Sequence, residues 1–191
     1  MNGAQIVTTS REQIIEKTCE LLEIQGYHGT GLNQIVKESG SPKGSLYYYF
    51  PGGKEELAVE AIQQAGTMVL KRIRHNLSLV DDPAIAIREF IMNIAINVER
   101  SGYAKGGPIT TIALETASSS EQLRAVCDQI YQDWQKAFSE KLQTVHLPER
   151  AASMSTLIIA AIEGGVILCR TSKSRNPLER IAEEIYFLVG S

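Results

Sequence analysis

Three tyrosines stand side by side at Tyr47, Tyr48 and Tyr49, out of seven in a chain of 191 residues. Lys43 and Lys54 flank them, and the stretch from Gly40 to Lys54 contains no acid. On a short helix three adjacent side chains point to different faces, so one core cannot bury all three phenols. Each phenol has an apolar body and one polar end. It can pack on the protein while its hydroxyl reaches a phosphate or a base edge. Lysine can donate to guanine and a serine hydroxyl to several bases, so Lys43 and Ser45 carry the chemistry of base reading. The chemistry of catalysis has no such basis. His28, His75 and His146 lie in separate segments. No Ser-His-acid spacing, phosphate-binding loop or paired metal ligands occur, so no catalytic residue, metal or cofactor is expected.

The elements that must position these residues are helices. Leu32 to Ser39 reads as a short helix, with Ile35 and Val36 facing inward, and Gly40 makes a turn into a second short helix, Lys43 to Phe50, opened by Pro42. Helix, glycine turn, short helix is the layout of a DNA-binding helix-turn-helix. A longer helix precedes the pair. It opens with Thr9 as N-cap and Glu12 three residues on, a capping box, and stops at Gly26. Pro51-Gly52-Gly53 then breaks the chain before a long helix, about Lys54 to Leu79, with Glu55 and Glu56 at its positive end. Further helices are expected over about 83–100, 108–116, 118–145, 148–169 and 176–189. No window alternates well enough for a strand. The fold class is all-α, with a DNA-binding domain over 1–53, completed by the start of the helix at 54, and a larger domain over 54–191.

Bulk properties constrain the reading without directing it. A formal charge of −3 gives no global attraction to nucleic acid, so any attraction must be local. Residues 1–54 carry five bases (Arg11, Lys17, Lys37, Lys43, Lys54) and five acids (Glu12, Glu16, Glu20, Glu23, Glu38), four of the acids on the first helix, away from the tyrosines. Three widely spaced cysteines, Cys19, Cys127 and Cys169, suit a reducing cytoplasm. No basic-then-apolar signal peptide opens the chain. No run approaches the ~20 apolar residues of a membrane span, and no membrane partner is expected.

The residues Gly26-Tyr27, Thr30, Ile35, Gly40, Lys43-Gly44-Ser45-Leu46-Tyr47, Phe50 and Lys54-Glu55-Glu56-Leu57 resemble the DNA-binding domain of TetR-type transcriptional regulators. The resemblance covers about the first third of the chain. Gly31 departs from it, standing where a Ser or Thr often caps the second helix, and the link Pro51-Gly52-Gly53 is one residue longer than usual. That link with its Lys-Glu-Glu-Leu continuation, and the segment from Pro108 to Glu115, resemble the LmrA/YxaF-like branch. Some members of that branch respond to plant-type aromatic compounds such as flavonoids. The resemblance implies a repressor that binds a double-stranded DNA operator and leaves it when a small effector binds.

Residue roles follow from geometry with the resemblance alongside. Leu46 and Phe50, four apart, should be core. Lys43, Gly44 and Ser45 lie at the helix end that meets base edges. Tyr47 and Tyr49 suit phosphates, and Tyr48 suits a thymine methyl or a sugar. Asn33 can reach a base or backbone at the groove edge, and Thr30 and Lys54 are phosphate clamps at helix starts.

The C-terminal region should hold the effector site and the dimer seam. Its candidate pocket residues are Met68, Phe90, Asn93, Thr110, Trp134, Phe138, Ile162 and Glu163. Most of the large apolar ones also serve as bundle core. The polar ones carry more information, because a buried polar group must be hydrogen-bonded to something. For Glu163, beside Gly164-Gly165, that partner can be a ligand, a neighbouring helix end or Arg170. Small residues at Ala152, Ser155, Ala160, Ala161, Gly164 and Gly165 allow close helix approach. With Ile181, Ile185, Leu188 and Val189 of the last helix they are expected to form a two-fold homodimer seam. An enzyme has no site in this sequence, and a protein-interaction module without DNA binding leaves the lysine–tyrosine segment unexplained.

Overall fold

A computed structural model describes residues 9–190, which form nine α-helices and no strand. Residues 1–8, on which the signal-peptide reading rests, lie outside the described part. In order the helices are α1 (Ser10–Gly29), α2 (Leu32–Ser39), α3 (Lys43–Tyr49), α4 (Gly53–Ser78), α5 (Pro83–Arg100), α6 (Thr110–Thr116), α7 (Glu121–Leu142), α8 (Pro148–Ser172) and α9 (Asn176–Gly190).

Local chemistry sets most boundaries. The Thr9 side chain accepts from the Glu12 amide while the Thr9 amide donates to Glu12 Oε2 at 2.8 Å, completing the capping box. Gly26 takes φ +75 and breaks α1, and one further turn follows before Thr30. Gly40, at φ +68, makes the left-handed turn between α2 and α3. Asp82 caps α5 through the amides of Ala84 and Ile85, with Pro83 next in line. Several boundaries differ from expectation: α7 ends at Leu142 rather than Val145, and α8 runs on to Ser172 rather than Cys169. Pro108 and Ile109 belong to a turn, so α6 begins at Thr110. Ser120, whose side chain accepts from Leu123 N at 3.1 Å, delays the start of α7.

The first three helices share a core of Ile14, Ile15, Leu22, Ile35, Leu46 and Phe50, which continues through Leu57 and Ala58 into α4. Beyond it α4 packs along α7, α7 along α8, and α5 and α8 along α9. α6 packs on both α1 and α7, so it bridges the N-terminal helices and the bundle. The expectation that no segment is apolar and long enough for a membrane needs correction. α8 is, with mean hydropathy 1.8 over its most apolar window. Yet 44% of that window is buried within the fold, as in a core helix.

Candidate DNA-reading helix and effector cavity

The reading helix α3 is anchored by Leu46 and Phe50, both 0% exposed. Its other faces are open. Lys43 and Gly44 are exposed, and nothing lies within 4 Å of where a Gly44 side chain would begin. Tyr47 is 52% exposed and Tyr48 79%. Tyr49 and Ser45 are half-buried, the Tyr49 ring lying edge-to-face between Tyr48 and Phe50. Asn33 is exposed on α2.

Thr30 is a correction. It is only 1% exposed and donates its hydroxyl to the Gly26 carbonyl at 2.7 Å, holding the turn after α1 together rather than facing a phosphate. It does not cap α2 either, whose N-cap is Gly31 with no side-chain hydrogen bond. Lys54 is half-buried with its ammonium 4.4 Å from the centre of the Tyr27 ring. Burial lowers its pKa while the Glu115 carboxylate acts against that. Glu115 itself, from α6, accepts the Tyr27 amide at 2.7 Å and the His28 amide at 3.0 Å. These are free N–H groups just past the Gly26 break, and a charged acceptor is a strong partner for them.

The second feature is a cavity of about 620 Å³ in the bundle. Its inner end is aromatic, walled by Phe90, Trp134, Phe138 and Ile162, with Phe90 and Phe138 edge-to-face at 5.6 Å. Exposed Glu16, Gln64, Met68, Arg72 and Asn97 ring its opening, Met68 being 61% exposed. Six of the eight expected residues meet here: Met68, Phe90, Trp134, Phe138, Ile162 and Glu163. Asn93 does not. It is one helical turn short of Asn97, points to solvent and donates to Asn76 Oδ1 at 3.1 Å. Thr110 stands outside the cavity, in a groove between α6 and α8, and donates its hydroxyl to the Glu163 carboxylate from behind.

Glu163 is the polar anchor of this wall. Burial raises its carboxyl above the ordinary 4.5, opposed by hydrogen bonds with the Thr110 and Tyr131 hydroxyls. Burial likewise raises the Tyr131 phenol. Sequence reasoning missed the wall nearest the reading head, where Glu16, Cys19, Glu20 and Glu23 of α1 face the cavity. The spacing of those three glutamates along one helical face was the available signal.

A domain model described as bacterial regulatory proteins of the tetR family matches residues 14–61, and one described as transcriptional regulator LmrA/YxaF-like, C-terminal domain, matches 83–184. The chain belongs to the TetR family of transcriptional regulators, in its LmrA/YxaF-like branch. It is 46% identical over 181 residues to the HTH-type transcriptional regulator YxaF of Bacillus subtilis, covering 94% of this chain and 95% of that one. It is 42% identical over 174 residues to the regulator LmrA of the same organism, covering 91% and 93%. Among solved structures, reduced NemR of E. coli shares the fold at TM-score 0.81 and 21% identity, covering 93% of this chain and 96% of that one. A cysteine mutant of the TetR-family regulator CifR, solved on a 26-base-pair double-strand operator, shares it at 0.80 and 17%, covering 96% and 98%. The protein is thus a TetR-type DNA-binding transcriptional regulator and not an enzyme.

Proposed function

We propose that this regulator is a cytoplasmic repressor that binds palindromic DNA as a homodimer and is released by a small, largely apolar, aromatic effector in the 620 Å³ cavity. The observation that carries the reading is the continuity of that cavity. Aromatic rings line one end, and helices of the reading head and the sensor, α1 and α4, meet at the other. The volume falls within the ~300–1,000 Å³ typical of small-molecule sites. α4 begins beside α3 and carries Met68 at the cavity opening, so a displacement there tilts the reading head.

Lys43, Gly44, Ser45, Tyr47 and Tyr48 present the open faces of α3 to the major groove, with Asn33, Tyr49 and Lys54 at the groove edges. A single head makes few contacts, and two related by a two-fold axis read half-sites one helical turn apart, about 34–36 Å. Support for the dimer comes from α8 and α9. Leu157, Ile167, Leu168 and Phe187 are exposed there, and a Gly164 side chain would begin in open space. Ser155, Gly165, Ile185 and Val189 are buried within the chain, so the seam we propose runs through the outward apolar residues instead.

The test is a selection of duplexes from a random pool by the purified protein, with its mass in solution measured alongside. Two-fold-related half-sites and a dimer are expected. A monomer that selects one unsymmetric site overturns the dimeric reading. A thermal-shift series of neutral aromatic compounds then identifies effectors, which must raise the melting temperature and lower DNA affinity together.

A further inference from the structure

The loop from Ser101 to Ile109, between α5 and α6, crosses the cavity wall, contributing Ser101, Lys105, Gly106 and Pro108 to its lining. Its backbone is unusual. Gly102 and Tyr103 both take left-handed φ, +65 and +62, and Gly106 takes φ +137. Tyr103 is not a glycine, so the loop holds a conformation that surrounding contacts must enforce. Gly106 is pressed close, since a side chain there would begin 2.6 Å from Val98 Cγ2.

Within the loop the Lys105 amide donates to Ser101 Oγ at 3.1 Å, and a further hold on its cavity edge comes from the other domain. Glu23 of α1 accepts the Gly106 amide at 2.9 Å, and Glu23 also lines the cavity. At the loop's far end the Thr110 hydroxyl donates to Glu163, another carboxylate of the cavity wall. The strap is therefore tied at one end to the reading head and at the other to the sensor, and both ties end on cavity-lining carboxylates. α6 follows directly, and its Glu115 clamps the Tyr27 and His28 amides at the far end of α1.

We propose that Glu23 is a latch between the two domains: occupation of the cavity displaces its carboxylate from the Gly106 amide, frees the 101–109 strap and releases α1 from the sensor. This route rests on the effector reading above, but it leaves the sensor through α1 rather than through α4 alone. An acceptor that is at once cavity wall and interdomain tie gives a ligand differential contact with the latched and unlatched states, which any population shift requires.

The experiment compares the unaltered chain with Glu23→Ala and Glu23→Gln. DNA affinity is measured on a duplex selected from a random pool, and amide exchange at Gly106 is followed in each. The cavity probe is N-phenyl-1-naphthylamine, a neutral apolar fluorophore. Melting curves identify the folded fraction. With no probe present, Glu23→Ala is expected to lose roughly ten-fold in DNA affinity, within the usual range of interdomain coupling, and to exchange Gly106 faster. Glu23→Gln, whose amide oxygen still accepts, should recover most of both. The probe should quicken Gly106 exchange in the unaltered chain and add little to the loss already present in Glu23→Ala. A Glu23→Ala protein that binds DNA like the unaltered chain, and is released by the probe equally well, overturns the latch and leaves the effector reading intact. A probe that fills the unaltered chain without lowering its DNA affinity, while Glu23→Ala has lost affinity, supports the tie and overturns the effector reading. The probe-free comparison of DNA affinity decides the Glu23–Gly106 tie, and the probe's effect on Gly106 exchange in the unaltered chain decides whether occupation opens it; unchanged exchange overturns the latch.

Discussion

The indole Nε1 of Trp134 donates to the backbone carbonyl of Gly66 at 3.0 Å. The chain's one tryptophan, on α7, is thereby joined to the middle of α4, and its ring also forms part of the aromatic end of the cavity. Glycine is required at the meeting point. A side chain on residue 66 would begin 2.7 Å from Ile130 on α7, so α4 and α7 come closer here than any larger residue allows. A ligand that turns Trp134 therefore acts directly on the helix that starts beside the reading head.

Trp134→Phe is expected to lower stability by about 1–2 kcal/mol, through the lost hydrogen bond and lost apolar area. The Gly66 carbonyl keeps its helical partner, so no buried acceptor is orphaned. Gly66→Ala should also destabilise, by up to about 2 kcal/mol net, the ~1–3 kcal/mol of overpacking being set against the ~1 kcal/mol alanine gains inside a helix. Urea unfolding measures both. A Gly66→Ala protein more stable than the original contradicts the close α4–α7 contact.

The open and buried faces of α3 separate cleanly. Leu46→Ala should cost ~2–5 kcal/mol of stability. Tyr48→Ala and Lys43→Ala should stay within ~0.5 kcal/mol. Both exposed-site variants should weaken DNA binding, and Lys43→Ala should also relax the selected sequence at the base it reads. Tyr47→Ala should likewise fold normally and lose DNA affinity. Its unfolding, with normal affinity per folded molecule, would make Tyr47 a core residue.

The reading head was legible because its signals are local. A capping box, a left-handed glycine and an N-terminal proline each act within four residues. The aromatic end of the cavity was legible through the size of Phe90, Trp134 and Phe138. What stayed hidden depends on direction or on distance along the chain. Thr30 has the right side chain, but its hydroxyl turns inward to Gly26. Asn93 and Asn97 lie one turn apart on one face of α5, and only the Asn97 turn is level with the cavity. Glu23–Gly106, Glu115–Tyr27 and Thr110–Glu163 join residues far apart in sequence, and no periodicity marks such pairs.

Glu115→Ala should leave the half-buried Tyr27 amide without an acceptor, a loss of about 1–3 kcal/mol, while the exposed His28 amide turns to water. Faster amide exchange at those two residues is the direct readout, and Glu115→Gln should restore most of the protection. Gly26→Ala should be worse placed still. Its φ of +75 is strained for alanine, and the new methyl would begin 2.3 Å from Glu115 Oε1, driving the clamp away. Unchanged exchange in Glu115→Ala contradicts the clamp.

Stability should fall with rising pH through Glu163. Burial holds its folded-state carboxyl above the ordinary 4.5, against the opposing Thr110 and Tyr131 hydrogen bonds, whereas the unfolded chain titrates at the ordinary value. Between those two points the folded protein keeps a proton that the unfolded chain has released. Stability therefore decreases with pH across that window, with the contribution complete below 4.5 and lost once pH passes the raised folded value. Glu163→Gln cannot ionise, yet its amide oxygen still accepts from Thr110. Relative to the unaltered chain, the variant should gain stability as pH rises from about 4 to about 8. Urea unfolding of both proteins across that range measures the difference. A difference that does not change with pH, or that changes in the opposite direction, means the Glu163 carboxyl is not held above its ordinary value.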